Sequence, residues 1–201
     1  MIKGKNIVIT GANSGIGLET LKLLAQGDNK ILAVDLRIDR IEALALKNVF
    51  PMVCDVSTKE NVDSIFAAAT EKLGSIDIFF ANAGFPYYET MDYVNWNRVE
   101  DIFKVNVFSP IYTYQKYVEY LGGKQGQMAI TVSAIGKLAM PGYPLRDAQK
   151  RFAHLPLSDS HRHGLLQKSS GRAGRQSHPR ASVPRAKAAT RCKMYGQGLG
   201  A

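Results

Sequence analysis

The run Thr10-Gly11-Ala12-Asn13-Ser14-Gly15-Ile16-Gly17 constrains this chain more than any other stretch. It joins an apolar strand pattern, Asn6-Ile7-Val8-Ile9, to a helical pattern that begins near Gly15. Glycine at 11, 15 and 17 lets the backbone turn sharply, approach a phosphate closely and seat a helix tightly on a strand. Amides at the start of that helix point toward an anion, so the turn reads as a pyrophosphate cradle. A glycine-rich turn alone is also a plain tight turn, so the rest of the chain has to agree with it.

Up to about residue 133 it does. Short apolar runs at 6–10, 30–35, 49–54, 76–82 and 127–133 alternate with helical patterns near 15–25, 38–47, 58–73 and 97–121. That alternation predicts parallel strands joined by crossover helices. Continuous apolar stretches such as Ile78-Phe79-Phe80-Ala81 suit strands covered on both faces. Ser57 followed by Glu60 predicts a capping box at the start of the third helix. The fold class expected is α/β, a doubly wound parallel sheet of Rossmann type that stops after its fifth strand.

Charge divides the chain sharply. Residues 1–144 carry 14 Lys/Arg and 15 Asp/Glu, whereas residues 145–201 carry 12 and 2. All four histidines and 8 of the 11 arginines lie in the second part, which contains no isoleucine and a single valine. Its apolar residues follow no period of 2 or 3.6, so it cannot bury enough surface to offset its ordering entropy. Residues 1–150 are therefore read as an incomplete NAD(P)-binding domain, and 151–201 as a basic tail, disordered or out of frame. Two cysteines, Cys54 and Cys192, make no disulfide framework and fit a reducing cytoplasm. No apolar run approaches the ~18 residues of a membrane span, and no signal peptide precedes the first strand.

Several residues fall where a nucleotide would meet them. Asp35 closes the second strand, where a carboxylate accepts hydrogen bonds from the adenosine ribose and repels a 2′-phosphate. The loop from Gly11 to Gly15 holds no basic residue, so NAD is favoured over NADP, with Arg37 the nearest opposing charge. Asp35 also reads as a helix cap. Asp55 and Val56, after the third strand, either border the adenine or form a local turn. Asn82-Ala83-Gly84 follows the fourth strand at the end where open α/β sheets bind ligands, and the Asn amide can tie neighbouring strands together.

Thr10–Gly17 with Asp35, Asp55, Asn82-Ala83-Gly84, Asn106 and Ser133 resembles the short-chain dehydrogenase/reductase family over about residues 3–150. The resemblance implies hydride transfer between NAD(H) and a small alcohol or carbonyl substrate. It implies that Asn106 holds a water in a proton relay and that Ser133 hydrogen-bonds the substrate carbonyl. Lys150 would bind the nicotinamide ribose and lower the pKa of a catalytic tyrosine. Outside that frame, Asn106 reads as a polar helix residue and Ser133 as a strand-end cap. Members of the family form dimers and tetramers through the helices at 97–121 and after 146, so a homo-oligomer is compatible with the chain. No metal site is expected.

The pattern then breaks. The family's tyrosine falls thirteen residues after the serine, and that position here is Arg146; Lys150, seventeen after it, is in register. Arginine stays protonated to a pKa above ~12 and cannot act as acid and base near neutrality. Tyr143 is three residues early and is followed at four residues by Asp147, not lysine. A shifted reading frame or mis-assembled gene from about residue 146 accounts for both the lost tyrosine and the altered composition. The alternatives are a catalytically silent NAD-binding or interaction protein, and a genuine basic tail. Scattered basic residues with only Phe152 and Tyr195 to stack on bases argue against nucleic acid.

Overall fold

Alternation within the first apolar run sends Ile7 and Ile9 to one face of a sheet and Val8 to the other, all fully buried. The computed structural model describes residues 1–86, 94–133 and 193–194. Arg146, Lys150 and nearly all of the basic tail, with the readings that rest on them, lie outside the described residues.

Strands β1 (Asn6–Thr10), β2 (Lys30–Asp35), β3 (Val49–Val53), β4 (Ile78–Ala81) and β5 (Gln127–Ile130) are parallel. Their order across the sheet is β5-β4-β1-β2-β3, so the chain runs outward from β1 to β3 and returns to the opposite side of β1 at β4. The crevice beside β1 where the order reverses is the place such sheets bind ligands. Helix α1 (Gly15–Ala25) and the single turn α2 (Asp39–Glu42) serve one face, where Leu18, Leu21 and Ile41 join Ile7, Ile9 and Ile31. Helix α3 (Lys59–Leu73) and helix α5 (Ser109–Leu121) serve the other, where Ile65, Phe66 and Tyr117 pack with Val8, Leu32 and Phe79. The expected doubly wound sheet is therefore present through its fifth strand.

Four local expectations are corrected. The second helix is one turn long, not ten residues, because Leu44 and Ala45 close i+3 turns and Ala45 takes a left-handed φ of 49°. Helix α3 is capped by Thr58, whose Oγ1 accepts the Asn61 N–H at 3.3 Å. Ser57 is drawn off into a turn with its own N–H on Asp55 Oδ1 (2.9 Å), so the expected capping box does not form. The long helix at 97–121 is three pieces: α4 (Trp96–Phe103), a π-helical segment (Lys104–Phe108) and α5. Finally, β5 ends at Ile130, leaving Ser133 beyond the strand.

A short strand not expected from the sequence, β6 (Lys193–Met194), pairs antiparallel with Val53 and Met52 of β3. Pro51, with no N–H to donate, is tolerated on β3 because that strand lies toward the sheet's rim. Cys54, just past β3, is buried, and the chain's other cysteine, Cys192, lies outside the described residues.

Candidate cofactor site

The C-terminal ends of β1, β2 and β4 open into a cavity of about 370 Å³, within the range typical of small-molecule sites. Gly11, Ser14, Gly15 and Ile16 form one wall, and Asp35 with Leu36 another. Asp55 and Val56 follow from the end of β3, and Asn82, Ala83 and Gly84 from the end of β4. Ten of the residues expected from the sequence thus surround one space.

Gly15 has φ 51° and an added Cβ there would meet nothing within 4 Å. Its freedom serves the turn and keeps the cavity open. Gly17 lies behind the wall: a Cβ would collide with the Gly11 carbonyl oxygen and stand 2.6 Å from Asn82 Nδ2. Close seating of α1 against β4 therefore requires glycine at 17. Ser14, the N-cap of α1, is extended and makes no side-chain cap bond, so the first amides of α1 face the cavity without that internal acceptor.

Asp35 is held in place. Its Oδ2 accepts the Asn13 N–H at 2.9 Å and its Oδ1 the Arg37 N–H at 3.3 Å. A carboxylate has about four acceptor sites, so roughly two remain for hydroxyl donors. The Asn13 side chain points elsewhere. It is nearly buried, its Oδ1 accepts from the Arg40 and Ile41 N–H groups (2.9 and 3.2 Å), and its Nδ2 donates to Asp39 Oδ1 (3.0 Å). That hydrogen bond, with Arg37 beside it, holds the Asp39 carboxyl below the usual range. Asp55 lines the cavity while its carboxylate closes the Ser57 turn and its carbonyl accepts from Asn61 Nδ2 (2.7 Å), so both readings of Asp55 have a geometric basis.

Asn82 ties three strands together. Its Nδ2 donates to the carbonyls of Thr10 (3.2 Å) and Gly11 (3.1 Å), and its Oδ1 accepts from Thr131 Oγ1 (2.8 Å). Thr10 Oγ1 accepts the N–H groups of Asn82 and Ala83, both at 3.1 Å. These two threonines escaped the sequence reading. Thr10 stood in the glycine-rich run, whereas nothing local marked Thr131.

Asn106 sits in the π-helical segment, and its Oδ1 and Nδ2 pair with the N–H and carbonyl of Phe85 (3.1 and 2.9 Å). With Gly84, whose Cβ position lies 2.9 Å from Asn106 Oδ1, it fixes the loop after β4. It lines a smaller hollow of about 130 Å³ that shares Asn82, Ala83, Gly84, Phe85 and Thr131 with the main cavity. Ser133 is half-buried two residues past Thr131. Among the described residues no group of three His, Cys, Asp or Glu could hold a metal, and no helix is long and apolar enough to cross a membrane.

A cradle left open at Gly15, uncapped helix amides and a carboxylate with spare acceptors fit the two phosphates and ribose of a dinucleotide. Comparison with known proteins agrees with that geometry. An uncharacterized oxidoreductase of Staphylococcus saprophyticus is 31% identical over 149 residues, 70% of this chain and 59% of that one. The NADPH-dependent 1-acyldihydroxyacetone phosphate reductase of Saccharomyces cerevisiae is 31% identical over 160 residues, 75% of this chain and 52% of that one. The chain thus spans between half and three fifths of these relatives. The crystal structure of a short chain dehydrogenase/reductase from Burkholderia phymatum in complex with NAD superposes with a TM-score of 0.72 at 26% identity, covering 82% of this chain and 62% of that one. The sequence profile of the short chain dehydrogenases matches residues 5–166, and the chain belongs to that family.

Proposed function

We propose that this chain binds NAD and derives from an oxidoreductase that transfers hydride between NAD(H) and a small alcohol or carbonyl substrate. The observation that carries the reading is the convergence of the glycine-rich turn, the α1 amides and the held Asp35 carboxylate on one cavity. When bound, the nicotinamide supplies the hydride acceptor or donor. The start of α1 holds the pyrophosphate, Asp35 accepts from the ribose hydroxyls, and Asp55 and Val56 border the adenine. One relative is NADPH-dependent and one similar structure holds NAD. The preference for NAD therefore rests on the Asp35 charge and on a loop without basic residues from Gly11 to Gly15.

In this reading Ser133 presents its hydroxyl to the substrate carbonyl, Asn106 supports the proton relay and Lys150 binds the nicotinamide ribose. Arg146 stands where the family's tyrosine is expected, and its guanidinium cannot give up a proton near neutrality. Little or no turnover is expected. That residue also favours the second reading, a catalytically silent NAD-binding or interaction protein.

Titrating the full chain with NADH by fluorescence tests the binding; no saturable signal would remove the reading. Arg146→Tyr tests the chemistry: reductase activity appearing on a panel of small carbonyl compounds supports an otherwise intact site. Binding without activity in that variant supports the silent binder. A second copy packing on the helix that exposes Ile111 and Val118 belongs to the same proposal, with sedimentation as its measure. A cytoplasmic location belongs to it too. No retention on a generic RNA is expected, even at low salt.

A further inference from the structure

Arg37 is the one basic side chain that the sequence places close to the ribose carboxylate, two residues past Asp35. A guanidinium there is the group that would neutralise a 2′-phosphate. Yet Arg37 is not part of the cavity wall. Its Nη2 is 3.3 Å from Asp39 Oδ2. The other oxygen of Asp39 is held by Asn13 Nδ2, and Asn13 is itself fixed by two backbone N–H groups at the start of α2. The Asn13 N–H meanwhile holds Asp35. Asn13, nearly buried, therefore orients both carboxylates: its backbone N–H holds that of Asp35, and its side-chain amide holds that of Asp39, which draws the guanidinium aside.

Resting on the dinucleotide reading above, we propose that Asp39 is a cofactor-selectivity residue, positioned by Asn13. It occupies the Arg37 guanidinium and so withholds it from a 2′-phosphate. Side-chain exposures of 78% for Arg37 and 54% for Asp39 make the pair an exchangeable one, so the effect is a bias of several fold and not an absolute barrier. Anchoring by Asn13 gives the pair what a lone surface pair lacks, because one partner is already ordered before the other arrives.

The test is a double-mutant cycle on the full chain, with NAD+ and NADP+ affinities measured by titration calorimetry and folding checked by thermal melting. Asp39→Asn keeps the shape and the bond to Asn13 but removes the charge. It should tighten NADP+ about three- to fivefold, while NAD+ stays within about twofold. Arg37→Ala alone should leave NADP+ within about twofold of wild type, because the guanidinium is already engaged. The double variant should lose the gain.

No gain in Asp39→Asn, or a gain that survives Arg37→Ala, overturns the proposal. If Asp39→Asn does not fold, Arg37→Ala decides alone: clear loss of NADP+ affinity in the wild-type background means the guanidinium was available, and the idea fails. A wild type that prefers NADP+ but shows the full cycle refutes the preference for NAD and keeps the role of Asp39. A wild type that binds neither nucleotide removes both.

Discussion

Among the described residues the sheet is closed on one side of the β1–β4 crevice and open on the other. In β1 and β2 nearly every residue is buried, and helices cover both faces. In β5 exposed residues alternate with half-buried ones, and among the described residues it pairs only with β4. A groove lined by Tyr114, Tyr117, Leu121, Met128 and Ile130 runs beside it, and Phe108, Ile111, Val118 and Val132 stand exposed on this flank. A parallel strand is stable when apolar cover reaches both faces and both edges are paired. Most residues facing the cofactor cavity come from the closed side and from β4, and Val105 and Thr131 reach it from the other flank.

Paired core truncations would break that contrast most directly. Phe79→Ala, at a fully buried position on β4 stacked 5.3 Å from Phe66, should cost about 3–5 kcal/mol of unfolding free energy in urea. Its neighbour across the ladder, Met128→Ala on β5, is only half-buried and should cost about 1 kcal/mol. Equal losses would mean that β5 is as well covered as β4.

Next in size is Gly17→Ala. The new methyl group has no space against Gly11 and Asn82, so a loss of about 3 kcal/mol is expected together with weaker NADH binding. Stability unchanged within error would show that α1 can lift from the sheet without penalty.

Tyr117 is the anchor of the open flank. It is 2% exposed and its hydroxyl donates to the Asp77 carbonyl at 2.8 Å. Burial pushes its pKa up to about 12 from an ordinary 10. A raised pKa means that the folded state holds the proton longer than the unfolded one. The stability it lends is whole below pH 10 and is lost as pH rises from 10 toward 12. Tyr117→Phe should cost about 1 kcal/mol at neutral pH, since Asp77 keeps the Gln127 N–H. It should also flatten that alkaline loss, read from denaturation midpoints at pH 9 and 11.

The smallest effect sharpens a boundary. Thr58→Ala should cost about 1 kcal/mol through the lost cap of α3. Ser57→Ala should stay within about 0.5 kcal/mol. The reverse ranking would restore the capping box that the sequence suggests.

Legibility followed the range of the interaction. The bounds of β1, β2 and α1 match the expected ranges because they rest on alternation, period and glycine, all encoded within a few residues. The cavity wall was legible for a related reason: in a parallel α/β sheet each strand delivers its last residues to one rim, so Asp35, Asp55 and Asn82 meet whatever the packing details. The π-helical segment around Asn106 was not legible, since i→i+4 and i→i+5 hydrogen bonding leave no distinct side-chain pattern over five residues. Nor was the turn of Asn13 toward α2, which depends on where Asp39 and the Arg40 and Ile41 amides come to rest.

The sequence by itself determined the α/β alternation, the glycine-rich turn and the family, and it placed Arg146 where a tyrosine is expected. Only the tertiary structure decided that Thr10, Asn82 and Thr131 form one knot across three strands, through hydrogen bonds between residues 72 and 49 apart. It alone turned Asn13 from the cavity to the pair of Asp39 and Arg37. Local pattern specifies which backbone a segment adopts, because φ/ψ preference and amphipathic period act within a turn or two. Which side chain satisfies which distant amide is set only when the elements pack, because a polar group near the core takes the partner that packing brings within reach.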